Sequence, residues 1–313
     1  MNQEKIKIVI VGPGAMGSLF GGLLSGPGRE VWLLDRRLKR AKAIEYHGVI
    51  IERGNEKKVY KLHVTADPLE AGLADLVIIC VKAYDTENAA RKAERIAGPE
   101  TNVLSLQNGL GNLETLVRIF GPERTLGGTT AQGANLVAAG HVRYAGQGET
   151  VIGEPEGGTA RAEKIAALFQ QSGIETSVTK DLTALIWSKV VINAAINPLT
   201  AILGVKNGVL PELEPAREIM AAAVAEVSEI CAKKKLELLF PDPLEKALAV
   251  ARATADNLSS MLQDVRARRR TEVDQISGAV AREAECLQLQ APVNRTLAMI
   301  IKALEQAYDR MVT

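Results

Sequence analysis

The sequence predicts an α/β chain in two parts, a doubly wound parallel sheet followed by an all-helical half. Three observations carry this. Over roughly the first 180 residues, short β-branched runs alternate with helical patterns, as βαβ units require. The runs are continuously apolar, as in Leu76-Val77-Ile78-Ile79-Cys80-Val81, which suits parallel strands covered on both faces. From Lys180 onward, Ala, Leu, Glu and Lys recur at helical spacing instead. The expected division is therefore residues 1–179 for the sheet and 180–313 for the helices, and 313 residues, 47% of them hydrophobic, suffice for two cores.

Taken in order, the expected strands are Ile6–Val11, Glu30–Leu34, Leu76–Val81, Asn102–Leu106 and Thr125–Thr130, with helices such as Met16–Leu24 and Asn88–Ile96 between them. Val137 to Gly153 reads as a β meander, with Gly140, Gly146 and Gly148 at its turns. The helical half reads as Leu182–Leu203, Glu212–Lys235, Leu244–Val265, Glu272–Leu289 and Arg295–Met311. Pro211, Pro215, Pro241, Pro243 and Pro292 fall between these segments or at their starts, where proline is tolerated. A ligand is expected between the two halves.

Charge and cysteine usage narrow the function classes. Lys+Arg number 38 and Asp+Glu 37, so a net charge of +1 gives no global pull towards nucleic acid or acidic membranes. The run Arg266-Ala267-Arg268-Arg269-Arg270 has no interleaved aromatics and reads as a solvated face. Cys80, Cys231 and Cys286 are odd in number and far apart, as in a reducing compartment, while His47, His63 and His141 are scattered, so no metal site is expected. The apolar stretch within Met1 to Val11 is too short for a signal peptide, and no stretch is read as approaching the ~20 apolar residues of a membrane span. A cytoplasmic, soluble protein with neither nucleic acid nor membrane as partner is the expectation.

Gly12-Pro13-Gly14-Ala15-Met16-Gly17 follows the first strand directly and opens a helix. Gly12 permits the tight turn, Gly14 lets a pyrophosphate approach the backbone, and Gly17 allows the helix to pack on the strand; the N–H groups of Ala15 and Met16 begin the helix end that faces the phosphates. Weighed against a purely structural glycine turn, this reads as the dinucleotide turn of a Rossmann-type domain. The next strand ends in Asp35-Arg36-Arg37, at about the 20-residue spacing of ribose selection. A carboxylate there accepts from a ribose 2′-OH and an arginine pairs with a 2′-phosphate, so Asp35 favours NADH while Arg36, Arg37 and Lys82 favour NADPH. The residues alone leave that choice open. Asn108-Gly109, at the end of the fourth strand, either sets an amide against nicotinamide ribose or substrate or forms an ordinary turn.

Within the otherwise apolar Leu182–Leu203, Lys189, Asn193 and Asn197 recur every four residues along one helical face. Burying an ammonium and two amides is costly unless a polar group meets them. A desolvated lysine has a lowered pKa and can protonate an oxygen gaining negative charge, as when hydride reaches a ketone. Pro198 is expected to break the helix beside this stripe. Asn257 and Ser260, three residues apart, are expected on one face of a continuing helix as carboxylate ligands, with Glu272 about 18 Å further along it at 1.5 Å per residue.

Assembled in this order, the motifs resemble those of the ketopantoate reductase (2-dehydropantoate 2-reductase) family over nearly the whole chain. The matching pieces are Gly12-x-Gly14-x-x-Gly17, Val81-Lys82-Ala83, Gln107-Asn108-Gly109, Lys189-x-x-x-Asn193-x-x-x-Asn197-Pro198-Leu199-Thr200-Ala201, Asn207-Gly208, Ser259-Ser260-Met261-x-Gln263-Asp264 and Thr271-Glu272-x-Asp274. The resemblance implies NAD(P)H-dependent reduction of 2-dehydropantoate to pantoate, on the way to pantothenate and coenzyme A. It implies Lys189 as general acid, with Asn193, Asn197, Asn207, Asn257 and Ser260 holding substrate. Asn108 would lie near nicotinamide and substrate, and Arg36, Ala134 and Glu272 would contact cofactor. It implies NADPH as the common cofactor, while Asp35 departs from a clean NADPH pattern and admits NADH. The rivals are a related reductase of another 2-keto acid and a dinucleotide sensor without turnover, which leaves the Lys189 stripe unexplained. A homodimer through the helical half is compatible with the pattern, with no interface defined by it.

Overall fold

A computed structural model describes residues 5–310. Its chain forms two compact units, one of residues 5–107 with Asn112–Leu182, the other of Asn108–Gly111 with residues 183–310.

The strands of the first unit are β1 (Ile6–Val11), β2 (Arg29–Leu34), β3 (Val49–Arg53), β4 (Glu56–Tyr60), β5 (His63–Thr65), β6 (Ala74–Ile79), β7 (Ala97–Ser105), β8 (Thr125–Thr130), β9 (Gly133–Ala138), β10 (His141–Gly146), β11 (Thr150–Gly153) and β12 (Thr176–Thr179). The helices among them are α1 (Ala15–Leu24), α2 (Leu38–His47), α3 (Pro68–Ala71), α4 (Thr86–Ala93), α5 (Asn112–Phe120) and α6 (Ala160–Gln170). Eight strands form the main sheet in the order β12-β11-β8-β7-β6-β1-β2-β5. β1 therefore lies between β2 and β6, and both pairings are parallel. Alternate residues of β1 serve different cores: Ile8 and Ile10 pack with Leu19, Phe20 and Leu24 of α1, whereas Val9 and Val11 pack with Ala90 of α4 and Leu116 of α5. Burial on both faces explains why the strand reads as an unbroken apolar run.

The meander expected over Val137 to Gly153 does not form. β9 and β10 pair antiparallel in a second sheet, ordered β4-β3-β10-β9, while β11 crosses to the main sheet and runs antiparallel to β8. The hairpin of β3 and β4 is an addition to the sequence reading. Its signal was the pair Gly54-Asn55, with Gly54 at φ +57°, but β4 is largely exposed and its Glu56-Lys57-Lys58 start hides the period-two pattern.

The second unit contains α7 (Leu182–Leu203), α8 (Glu214–Lys233), α9 (Pro243–Ala253), α10 (Ser260–Arg266), α11 (Ser277–Cys286) and α12 (Pro292–Ala307); α7 starts at its boundary with the first. Met311, the expected end of the last helix, lies outside the described residues. Three expectations need correction here. The single helix Leu244–Val265 is two helices, because Thr254–Ser259 turns and Ser259 starts α10 by accepting from the Leu262 N–H at 3.1 Å. Pro198 does not break α7, which runs through it unbroken for 22 residues. Only one helical N–H is lost there, and the burial of Val190, Val191, Ala194, Ala195, Ile196 and Leu199 outweighs it. Finally, α7 is long and apolar enough to cross a membrane by length and composition, which the sequence reading denied for every stretch. Most of it is buried within the protein, as befits a core helix.

α12 is anchored from α8. The Glu226 carboxylate accepts from the backbone N–H groups of Val293 (2.7 Å) and Asn294 (2.9 Å), which have no helical partners, and from Asn294 Nδ2 (2.8 Å).

Candidate active site

The glycine turn sits where the topology of the main sheet reverses, at the C-terminal end of β1 with β2 and β6 on either side. Gly12 has φ +93°, and a Cβ on it would lie 2.6 Å from the Val81 side chain and 2.9 Å from its backbone nitrogen. A Cβ on Gly17 would lie 2.2 Å from the Gly12 carbonyl oxygen. These two glycines are demanded by packing. Gly14 is different, because a Cβ there would meet nothing within 4 Å. Gly14 is also the residue preceding α1, so its open side adjoins the half-buried Ala15 and Met16 at a helix start with no side-chain cap. That is the fit a pyrophosphate requires: room, free-facing N–H groups and the positive end of a helix dipole. Ala134 lies on β9, half-buried with Met16 in the core on the α1 face of the sheet.

Asp35 and Arg36 follow β2, but they do not share a surface. The Asp35 side chain is 1% exposed; its carboxylate accepts from the Arg37 N–H at 3.0 Å and is paired with Arg40 Nε. The sequence reading gave this carboxylate to a ribose hydroxyl. Its burial and its pairing with Arg40, a residue the sequence reading passed over, turn it inward instead. Arg36 is exposed and its Nη1 lies 3.0 Å from Oδ2 of Asp85, another residue the motifs did not single out. Lys82, half-buried, follows β6 and precedes the short turn Ala83–Asp85. Gln107 braces this region: its Nε2 donates to the Val81 carbonyl and to Thr86 Oγ1, each at 2.8 Å.

In the second unit, α7 sets Lys189, Asn193 and Asn197 along one face, about 6 Å apart per helical turn of four residues. Asn193 and Asn197 are buried, and Asn193 Nδ2 donates to Asn108 Oδ1 at 3.4 Å. Lys189 keeps some solvent access, yet the protein packed round it desolvates its ammonium and pulls its pKa below the ordinary lysine value. The Asn108 loop is held by the turn that bears Glu272. Leu110 N–H donates to the Gln275 carbonyl at 2.8 Å, and a Cβ on Gly109 (φ +88°) would sit 2.4 Å from that oxygen. So Asn108-Gly109 is not an interchangeable turn. Glu272 itself is buried, and its carbonyl accepts from the N–H groups of Gln275 and Ile276. The expectation of Glu272 about 18 Å along a helix from Ser260 fails, because α10 ends at Arg266 and residues 267–271 are not helical.

The remaining residues cluster at the other end of α7. Thr200 Oγ1 bonds Ser259 Oγ at 2.7 Å, beside Ser260 at the first turn of α10. Asn257 lies in the turn before it, not on a shared helical face as expected, and its carbonyl accepts from the Asn207 N–H at 3.1 Å. Asn207 Nδ2 donates to Thr254 Oγ1 at 2.9 Å, while its Oδ1 is buried with no hydrogen-bond partner among the described residues. An orphaned acceptor suits a ligand hydroxyl. Across the cluster, the donors and acceptors are amides and hydroxyls, with the ammonium of Lys189 one turn beyond Asn193.

Family models match both parts of the chain. The model described as ketopantoate reductase PanE/ApbA matches residues 8–157, and its C-terminal counterpart matches residues 181–305. The chain belongs to the ketopantoate reductase family. A 2-dehydropantoate 2-reductase of Halobacterium salinarum is 37% identical over 303 residues, covering 96% of this chain and 99% of the relative. Among solved structures, a PanE/ApbA family ketopantoate reductase from Ralstonia eutropha is similar with a TM-score of 0.88 at 29% identity, covering 97% of this chain and all of that one. D-mandelate dehydrogenase, solved as a ternary complex with NADH and anilino(oxo)acetate, is similar with a TM-score of 0.90 at 28% identity and the same coverage. For a ketopantoate reductase, the fold is thus the family's own: a Rossmann-type α/β unit followed by a helical one.

Proposed function

We propose that this enzyme reduces 2-dehydropantoate to pantoate with a nicotinamide dinucleotide, Lys189 acting as the general acid. The observation that carries the reading is the desolvated Lys189 ammonium on the same helical face as two buried asparagines, in a chain whose relative over 99% of its length is a 2-dehydropantoate 2-reductase.

When bound, the cofactor supplies the hydride that reaches the substrate's ketone carbon. Gly12, Gly14 and Gly17, with the N–H groups of Ala15 and Met16, would hold its pyrophosphate; Arg36 and Lys82 would meet the adenosine ribose end; Asn108, Ala134 and Glu272 are the further cofactor contacts that the family pattern implies. Lys189 Nζ stabilises negative charge as it develops on the ketone oxygen and delivers the proton that completes the hydroxyl. Its lowered pKa makes that transfer easier than from an ordinary lysine. Asn193 and Asn197 orient the oxygen, and the Asn193–Asn108 contact fixes the first of these amides. Asn207, Asn257 and Ser260 take the carboxylate and hydroxyl of the substrate. NADPH is the proposed cofactor, because Asp35 is turned inward by Arg40 and no longer opposes a 2′-phosphate.

A second reading has an observation of its own: the likeness to D-mandelate dehydrogenase, bound to NADH and a 2-oxo acid, favours a related reductase of another 2-keto acid. Steady-state kcat/KM with 2-dehydropantoate, pyruvate, 2-ketoisovalerate and phenylglyoxylate, each with NADPH and with NADH, separates the two. The expected result is a preference for 2-dehydropantoate of at least about a hundredfold, within the roughly 10⁴–10⁵-fold by which unmet buried polar groups discriminate. A higher kcat/KM for any of the other acids overturns the assignment.

A further inference from the structure

Asp85 stands in the way of the residue that would read a 2′-phosphate. It closes the short turn Ala83–Asp85 after β6, while Arg36 follows β2. β6 and β2 are the two neighbours of β1, so the 3.0 Å pair between Arg36 Nη1 and Asp85 Oδ2 links the strand ends on either side of the glycine turn. Asp35 cannot relieve Arg36 of that contact, because it is buried and holds Arg40 and the Arg37 N–H. The arginine is more than half exposed and the aspartate about a quarter exposed, at 59% and 27%. A pair this open is weakly held and screened by salt, and it can be exchanged for a better anion. A dianionic phosphate monoester is that better anion for a guanidinium.

Resting on the reading of this turn as a nicotinamide dinucleotide site, we propose that the Arg36–Asp85 ion pair sets the cofactor preference. The 2′-phosphate of NADPH takes Arg36 from Asp85, at the cost of breaking the pair. The 2′-hydroxyl of NADH leaves the pair closed. Asp85 therefore restrains a preference for NADPH that Arg36 creates, and the enzyme accepts both cofactors to a degree its aspartate sets.

Binding, rather than turnover, tests this. NADPH and NADH are titrated separately by nicotinamide fluorescence into wild type, Asp85→Asn, Arg36→Ala and the double variant, with thermal melting to confirm that each is folded. Asp85→Asn is expected to tighten NADPH about threefold to fivefold and change NADH less than about twofold, the size of effect a partly exposed charge contact carries. In the Arg36→Ala background the same substitution is expected to change NADPH binding less than about twofold, because two residues acting as one unit are not additive. An unchanged NADPH-to-NADH ratio in Asp85→Asn overturns the proposal. So does an equal tightening with Arg36 absent, which would make Asp85 a direct repellent. A wild type that binds neither dinucleotide overturns the underlying reading of the site, a result distinct from both.

Discussion

Lys189→Ala is expected to lower kcat for 2-keto acid reduction by about a hundredfold to ten-thousandfold, the range contributed by a positioned proton donor. The dissociation constant for NADPH should stay within about threefold of wild type, because the glycine turn of the first unit does not include this side chain. The substitution is compatible with folding: Lys189 sits in a helix, where alanine is the best former, and removing an ammonium from a desolvating site relieves a cost. The pH profile gives an independent signature. The donor must be protonated, so the reduction rate falls as pH rises through the Lys189 pKa. Desolvation lowers that pKa, placing the alkaline limb below the value of about 10.4 for an ordinary lysine. The limb should vanish in Lys189→Ala. A variant that retains near-normal kcat, or the same alkaline limb, removes Lys189 from the role of acid.

The second large effect is expected from Gly14→Asp, and it separates folding from binding. Gly14 has an ordinary negative φ of −75° and open space beyond its Cα, so a side chain fits. It stands at the N-cap of α1, where aspartate is among the preferred residues and its carboxylate can accept from the first turn. Melting temperature should therefore hold or rise slightly. Cofactor binding should fail, because the new carboxylate occupies the pyrophosphate position with like charge; at 4 Å and an effective dielectric near 20 the repulsion is about 4 kcal/mol, or roughly a thousandfold in affinity. Calorimetric titration of NADPH, with a thermal melt of the same sample, checks both halves. Retained affinity would mean that the dinucleotide does not approach the chain at Gly14.

What the sequence disclosed depended on how many independent constraints met at each residue. The turn from Gly12 to Gly17 was legible because its glycines answer to packing against Val81 and Gly12 as well as to ligand space. α7 was legible to its ends because a buried helix of Val, Ile and Ala leaves polar residues nowhere to hide, so Lys189, Asn193 and Asn197 stood out. The break between α9 and α10 was hidden because Thr254–Ser259 has neither glycine nor proline; the signal present was Ser259, a capping residue inside an apparently continuous pattern. Pro198 misled in the opposite direction, since tertiary burial overrode a strong local preference. Asp35 misled for a different reason: spacing along a chain cannot say which way a carboxylate turns, and Arg40, five residues on, turned it. Pairings at long sequence separation, such as Arg36 with Asp85 or Leu110 with Gln275, left no mark in the pattern at all.

The most direct test of the central claim is a crystal structure of the enzyme with NADP⁺ and pantoate bound together. The account expects Lys189 Nζ within hydrogen-bond reach of the pantoate 2-hydroxyl, about 2.6–3.2 Å, with the carbon that bears this hydroxyl facing C4 of the nicotinamide. A Lys189 ammonium turned to bulk water in that complex, with another group on the hydroxyl, would contradict it.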